Sequence, residues 1–302
     1  MDVGVIGVGV MGKNHVRVYS ELKQASTVYV YDLNYEAATG VALANEATAC
    51  SSLEELLKNV DAVSVCVSTP HHRQVGEQVL AAGIHLLMEK PICATEKEAK
   101  ELLAHKKKGI IMGVGHIERF NPIVPEIRRI VRNPLFVEMN RHNPASSRPM
   151  ESSVIEDLMI HDIDILQHVL FSDSLEFSAA GNLDAASALF RFDGISAFIS
   201  ASRKSSKKIR RIYIEEEDLT VEGDFMNQEV FTYYKPEKYK VENERYVQEN
   251  IIEKVMVNKV EPLKVELKTF LDCVRQEQPF PVTPEQAVKN LMICEQIEKG
   301  LT

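Results

Sequence analysis

Apolar positions change their period along this chain. Between residues 3 and 115, short β-branched runs show no in–out alternation: "VGVI" from residue 3, "TVYVY" at 27–31, "AVSVCV" at 62–67, "HLLM" at 85–88 and "GIIMGVG" at 109–115. Such runs predict parallel strands buried on both faces. The stretches between them, 11–23, 35–45, 52–58, 71–82 and 95–107, are rich in Ala, Leu, Glu and Lys and predict helices. Strand–helix alternation of this kind builds a doubly wound sheet with helices on both faces.

The pattern shifts after "GHIERFNP" (115–122). Pro122 suits the first position of a helix running through "PIVPEIRRIV". A strand-like "LFVEMNRH" (135–142), a polar loop "NPASSRPMESS" and a long helical run at 154–171 follow. From about 174 to 234 the chain reads mostly as strands, with Asp193-Gly194 as a hairpin turn between two of them. Helices are predicted at 263–277 and 284–299. The expected organisation is an α/β Rossmann domain over 1–118 and a second, α+β domain over 119–302. The second domain would be a large, mostly antiparallel open sheet with helices on one face.

A length of 302 residues agrees with two domains of ~150 each. Hydrophobic residues at 45% and charged residues at 26% exclude a disordered chain. Lys plus Arg at 35 against Asp plus Glu at 44 argues against a nucleic-acid or anionic-membrane binder, which needs a basic footprint. The one strong basic run, "RKSSKKIRR" (203–211), precedes "EEED" and reads as a charged hairpin or a subunit contact. Cys50, Cys66, Cys93, Cys273 and Cys294 are odd in number and scattered, so neither a disulfide framework nor a cysteine zinc site is expected. With no signal-peptide pattern and no apolar run near ~18 residues, a cytoplasmic protein is expected.

"GVGVMG" places Gly7, Gly9 and Gly12 in G-x-G-x-x-G spacing between a predicted strand and a predicted helix. There the first glycine permits a tight turn, the second lets backbone approach a pyrophosphate, and the third lets helix and strand pack closely. The amides of Val10 and Met11 open the helix and face the anion. Asp32 follows the second strand, 20 residues after Gly12, where a carboxylate accepts from a ribose diol and repels a 2′-phosphate. Leu33, Asn34 and Tyr35 supply no arginine for such a phosphate, so NAD is favoured over NADP.

Two further features carry chemistry. "MEKP" puts Glu89 and Lys90 at the carboxyl end of the fifth strand, the edge where ligands bind in open α/β sheets, although a lysine there also suits a plain surface. In the 154–171 run, Asp157, His161, Asp164 and His168 fall at i, i+4, i+7 and i+11 on one helix face. Three readings of that face stand: structural polar groups at a domain interface, a metal site, or a carboxylate-oriented imidazole acting as acid and base. No third metal ligand or H-e-x-x-H pattern supports the second.

The glycine loop, "STPHH" after the fourth strand, "EKP" after the fifth and D-x-x-x-H-x-x-D in the second half together resemble the Gfo/Idh/MocA oxidoreductase family over nearly the whole chain. Within it, "GHIERFNP" with "EDLMIHDIDI" is most similar to the branch acting at C3 of UDP-N-acetylglucosamine. The resemblance implies NAD as cofactor, no metal, and a homodimer or homotetramer assembled through the open sheet. It implies catalytic roles for Lys90, Asp157 and His161, a substrate role for Asp164, and cofactor contacts from Thr69, Pro70, His71, Glu89 and Lys90. The family's T-P-N-x-x-H is altered here, with His71 in the Asn position and Gln74 in the His position. Arg119, Arg141 and Arg148 offer planar forks for a substrate diphosphate, or else form structural ion pairs. Oxidation of a free sugar or a cyclitol, and a non-catalytic NAD-binding regulator, are the competing functions.

Overall fold

The computed structural model describes residues 1–144, 152–171, 176–235, 239–242, 245–248 and 251–301. The chain forms two compact units, Met1–Phe120 with Glu261–Met292, and Asn121–Val260 with Ile293–Thr302.

In the first unit, strands β1 (Val3–Ile6), β2 (Val28–Tyr31), β3 (Thr48–Ala49), β4 (Ala62–Val65), β5 (His85–Glu89) and β6 (Met112–Gly115) form one parallel sheet in the order β3-β2-β1-β4-β5-β6. Every residue of β1 and β4 is buried, which explains their unbroken apolar runs. The intervening helices are α1 (Val10–Glu21), α2 (Tyr35–Ala44), α3 (Leu53–Leu57), α4 (His72–Ala81) and α5 (Glu96–Ala104). Side chains of Asn34, Ser52 and Thr95 cap α2, α3 and α5 by accepting first-turn amides. Strand order reverses between β1 and β4, so a crevice opens beyond their carboxyl ends.

The second unit begins with α6 (Ile123–Ile130) and β7 (Phe136–Pro144). The 155–170 run is helical throughout but not uniformly α. A π-helical turn, Ile155–Met159, precedes α7 (Ile160–Ile165), and a second, Leu166–Leu170, follows it. Then come β8 (Glu176–Asn182), β9 (Ala185–Phe192), β10 (Ile195–Ser205), β11 (Ile209–Glu215), β12 (Leu219–Asp224) and β13 (Glu229–Tyr234). Residues beyond 234 add strands that the alternation did not predict. β14 (Tyr239–Glu242) and β15 (Arg245–Gln248) pair with each other, and β16 (Ile251–Val255) joins the main sheet beside β13.

The main sheet runs β16-β13-β12-β11-β7-β10-β9-β8, antiparallel except where β7 meets β10. Asp193 and Gly194 turn β9 into β10 with positive φ at both positions, as a two-residue hairpin demands. The basic run 203–211 is not a hairpin, because β7 lies between β10 and β11. Inward residues Met139, Phe190, Ile199 and Ile212 pack with Ile123, Ile127, Ile155 and Ile163 in the unit's own core.

Helices α8 (Pro262–Gln276) and α9 (Pro284–Gly300) end the chain. The expected division at 118/119 leaves both with the second domain. The compact units instead divide at 120/121 and return 261–292 to the first, since Leu263, Leu267, Phe270 and Leu271 fill the Rossmann core. All five cysteines are free thiols. Among the described residues, no helix is long and apolar enough to cross a membrane.

Candidate active site

The chain leaves β1 through Gly7, whose φ of +91° only a glycine adopts without strain. A Cβ on Gly12 would lie 1.8 Å from the Gly7 carbonyl oxygen, so this position closes the helix onto the strand. Gly9 differs. A Cβ there meets nothing within 4 Å, so no protein contact requires glycine. No side chain caps α1, whose first turn opens with Val10 and Met11 next to Gly9. Asp32 stands at the rim, where Oδ2 accepts the Val8 amide at 2.7 Å and Oδ1 accepts the Asn34 amide at 2.8 Å. A cavity of about 530 Å³ adjoins these groups, lined also by Leu33, Ser68, His71 and Gln74. An uncapped helix start, an open glycine and a pre-oriented carboxylate suit the pyrophosphate and ribose of a dinucleotide.

Thr69–His71 forms a single 3₁₀ turn after β4. Of the expected trio, His71 lines the cavity, whereas Thr69 and Pro70 are not among its lining residues. The next residue, His72, is buried. Its Nδ1 lies 2.8 Å from the Pro91 carbonyl oxygen and its Nε2 3.0 Å from that of Val67. Burial pushes the His72 pKa below its ordinary 6.5, partly opposed by these two carbonyls.

Lys90 follows β5 and is half-buried. Glu89 is not among the residues that line the cavity beside Gly9. Its buried carboxylate accepts from His15 Nε2 at 2.8 Å and from the Lys90 amide at 3.2 Å. Burial raises the Glu89 pKa, but His15 and Lys90 pull it further down, to a net value below the usual 4.5. Cys66 completes this cluster. Ligand atoms of His15, Cys66 and Glu89 lie within 4.8 Å of one another, and burial, with Glu89 and Glu266, pushes the thiol pKa well up.

In the second unit, the helix 155–170 carries a half-buried Asp157 and buried His161, Asp162 and Asp164. The π-helical turns on either side of α7 depart from the 3.6-residue period that the i, i+4, i+7, i+11 spacing assumes. Such turns recur at functional sites. Arg141 is not a surface cation awaiting phosphate. Only 1% of it is exposed, its Nε and Nη2 donate to Asp162 Oδ1 at 3.0 and 2.7 Å, and its guanidinium lies over Phe225. Arg119, in the first unit, donates to Gln286 Oε1 at 2.8 Å and to the Pro281 carbonyl. Arg148 lies outside the described residues.

The sequence profile described as "Oxidoreductase family, NAD-binding Rossmann fold" matches residues 1–116. UDP-N-acetylglucosamine 3-dehydrogenase of Acidithiobacillus ferrooxidans is 32% identical over 244 residues, 78% of this chain and 77% of that one. The chain belongs to the Gfo/Idh/MocA oxidoreductase family. The solved structure of that 3-dehydrogenase, GnnA, superposes with a TM-score of 0.90 at 30% identity, covering 100% of this chain and 97% of its own. An inositol 2-dehydrogenase/D-chiro-inositol 3-dehydrogenase of Shouchella clausii is 31% identical over 58% of this chain and 54% of the other. This family member is thus an oxidoreductase with an NAD-binding Rossmann fold.

Two features escaped the sequence reading. His15 falls on the buried face of α1 with Gly12, Val16 and Tyr19, so an ionisable residue on an apolar face was the available signal. Glu266 is likewise buried on α8 among Leu263, Leu267 and Phe270.

Proposed function

We propose that this oxidoreductase oxidises a secondary sugar hydroxyl to a ketone with NAD, its substrate being UDP-N-acetylglucosamine and the reacting position C3. The observation that carries the substrate is the likeness to the Acidithiobacillus 3-dehydrogenase, which extends through the second unit and not the Rossmann fold alone. The inositol dehydrogenases match a smaller share of the chain.

When bound, the nicotinamide supplies the hydride acceptor. This chain's residues supply the proton chemistry, because loss of hydride requires the hydroxyl proton to leave. His161 accepts that proton at an imidazole nitrogen. Asp157 orients the ring and stabilises the imidazolium, and the Lys90 ammonium stabilises charge developing on the substrate oxygen. Asp164 contributes to sugar binding. Asp32 selects NAD, since its carboxylate repels a 2′-phosphate. The open sheet of the second unit joins copies of the chain into a dimer or tetramer.

A substrate panel tests this reading. Purified protein, NAD and UDP-N-acetylglucosamine should generate reduced nicotinamide absorbance, and a parallel reaction with a keto-acid acceptor, which reoxidises any NADH held tightly, should accumulate the ketone product. Turnover with inositols and none with UDP-sugars would overturn the substrate.

A further inference from the structure

Helix α1 serves the phosphate cradle at its N-terminus and, one turn beyond Gly12, buries His15 completely. An ionised carboxylate only accepts, so His15 Nε2–H donates to Glu89 Oε1 at 2.8 Å. Nδ1 of the same ring has no hydrogen-bond partner among the described residues, so the hydrogen bonding seen for the ring goes to Glu89. Glu89 Oε2 in turn accepts the backbone amide of Lys90. The carboxylate also lies close to β6, where a Cβ on Gly115 would come 3.3 Å from it. One residue past Lys90, the Pro91 carbonyl meets His72.

We propose that His15 and Glu89 are positioning residues for Lys90, with His72 as a second clamp. They fix the root of a long, flexible side chain in the same frame as the dinucleotide's phosphate cradle. The inference rests on Lys90 acting on the substrate oxygen. A buried carboxylate carries a desolvation cost that a neutral tie avoids, and α1 already has a neutral tie to the sheet in Tyr19 Oη–Ser64 Oγ at 2.8 Å. Placing the costly pair directly under the lysine is what a site needing a fixed ammonium requires.

His15→Phe keeps a ring and removes the donor, His15→Gln keeps a donor near Nε2, and Tyr19→Phe removes only the neutral tie. His15→Phe should lower kcat on UDP-N-acetylglucosamine by about 10- to 100-fold, while the NADH Kd moves less than about threefold. His15→Gln should recover most of the loss, and Tyr19→Phe should turn over like wild type. Reductive methylation with ¹³C-formaldehyde gives a readout independent of substrate, the Lys90 signal being assigned by its loss in Lys90→Arg. That signal should shift in His15→Phe and not in Tyr19→Phe.

If His15→Phe does not fold, Gly115→Ala presses on the same carboxylate and should give the same kcat loss and the same shift. Wild-type kcat and an unmoved signal in either variant would overturn the positioning role alone, provided Lys90→Ala is inactive. A fully active Lys90→Ala would overturn the reading of Lys90 and the inference with it.

Discussion

Arg141 and Asp162 form a buried ion pair, with Nη2 2.7 Å from Oδ1 and both side chains almost wholly shielded from solvent. Its members come from β7 and α7, so it ties the sheet to the helix that carries His161. Removing one partner takes the ion-pair compensation from the buried charge that remains. Arg141→Ala should therefore cost about 3–5 kcal/mol of stability in urea unfolding, and Arg141→Met with Asp162→Leu should restore most of it. A normal stability for Arg141→Ala, with UDP affinity lost, would return this arginine to the substrate.

Gly9 and Gly12 separate ligand space from packing. Gly12→Ala drives a methyl into the Gly7 carbonyl and should lower the melting temperature by several degrees or prevent folding. Gly9→Ala meets no protein atom. It should leave the melting temperature nearly unchanged and weaken NADH binding by about tenfold or more, as read by nicotinamide fluorescence.

Asp32 ties the loop and lines the cavity, and the proposed function sets it against the ribose. Asp32→Ser should bring the NADH and NADPH affinities at least about tenfold closer together, by removing the charge that repels a 2′-phosphate. It should also cost stability, since Val8 and Asn34 lose their acceptor. Paired fluorescence titrations with the two reduced cofactors read the first effect and thermal melts the second.

Burial holds His72, His85 and His142 below the ordinary imidazole pKa of 6.5. Such a ring binds its proton more readily in the unfolded chain, so its contribution to stability is complete above about pH 6.5 and falls away as pH drops toward the folded pKa. The melting temperature should be lower at about pH 5.5 than at about pH 7.5. His72→Phe should flatten part of that slope.

Much of the fold follows from local pattern. Unbroken apolar runs mark β1 and β4 because both faces are covered, and Asp193-Gly194 marks its hairpin because few other pairs take that turn. β3 is two residues long, too short for any period to register. Amphipathicity tells which face of α8 is buried but not in which core, so its return to the first unit is not legible. The π-helical turns around α7 are hidden for a related reason, since the helix-face argument assumes 3.6 residues per turn. Arg141 shows a signal overridden by charge. It shares parity on β7 with Val137 and Met139, and that alternation points inward.

The most direct measurement is the turnover of UDP-N-acetylglucosamine by wild type and His161→Ala side by side, with NADH affinity measured on both. A proton acceptor at His161 predicts that wild type yields the 3-keto product. In the variant the rate should drop by about 10²–10⁴ at unchanged NADH affinity. Equal rates in the two proteins would contradict the account.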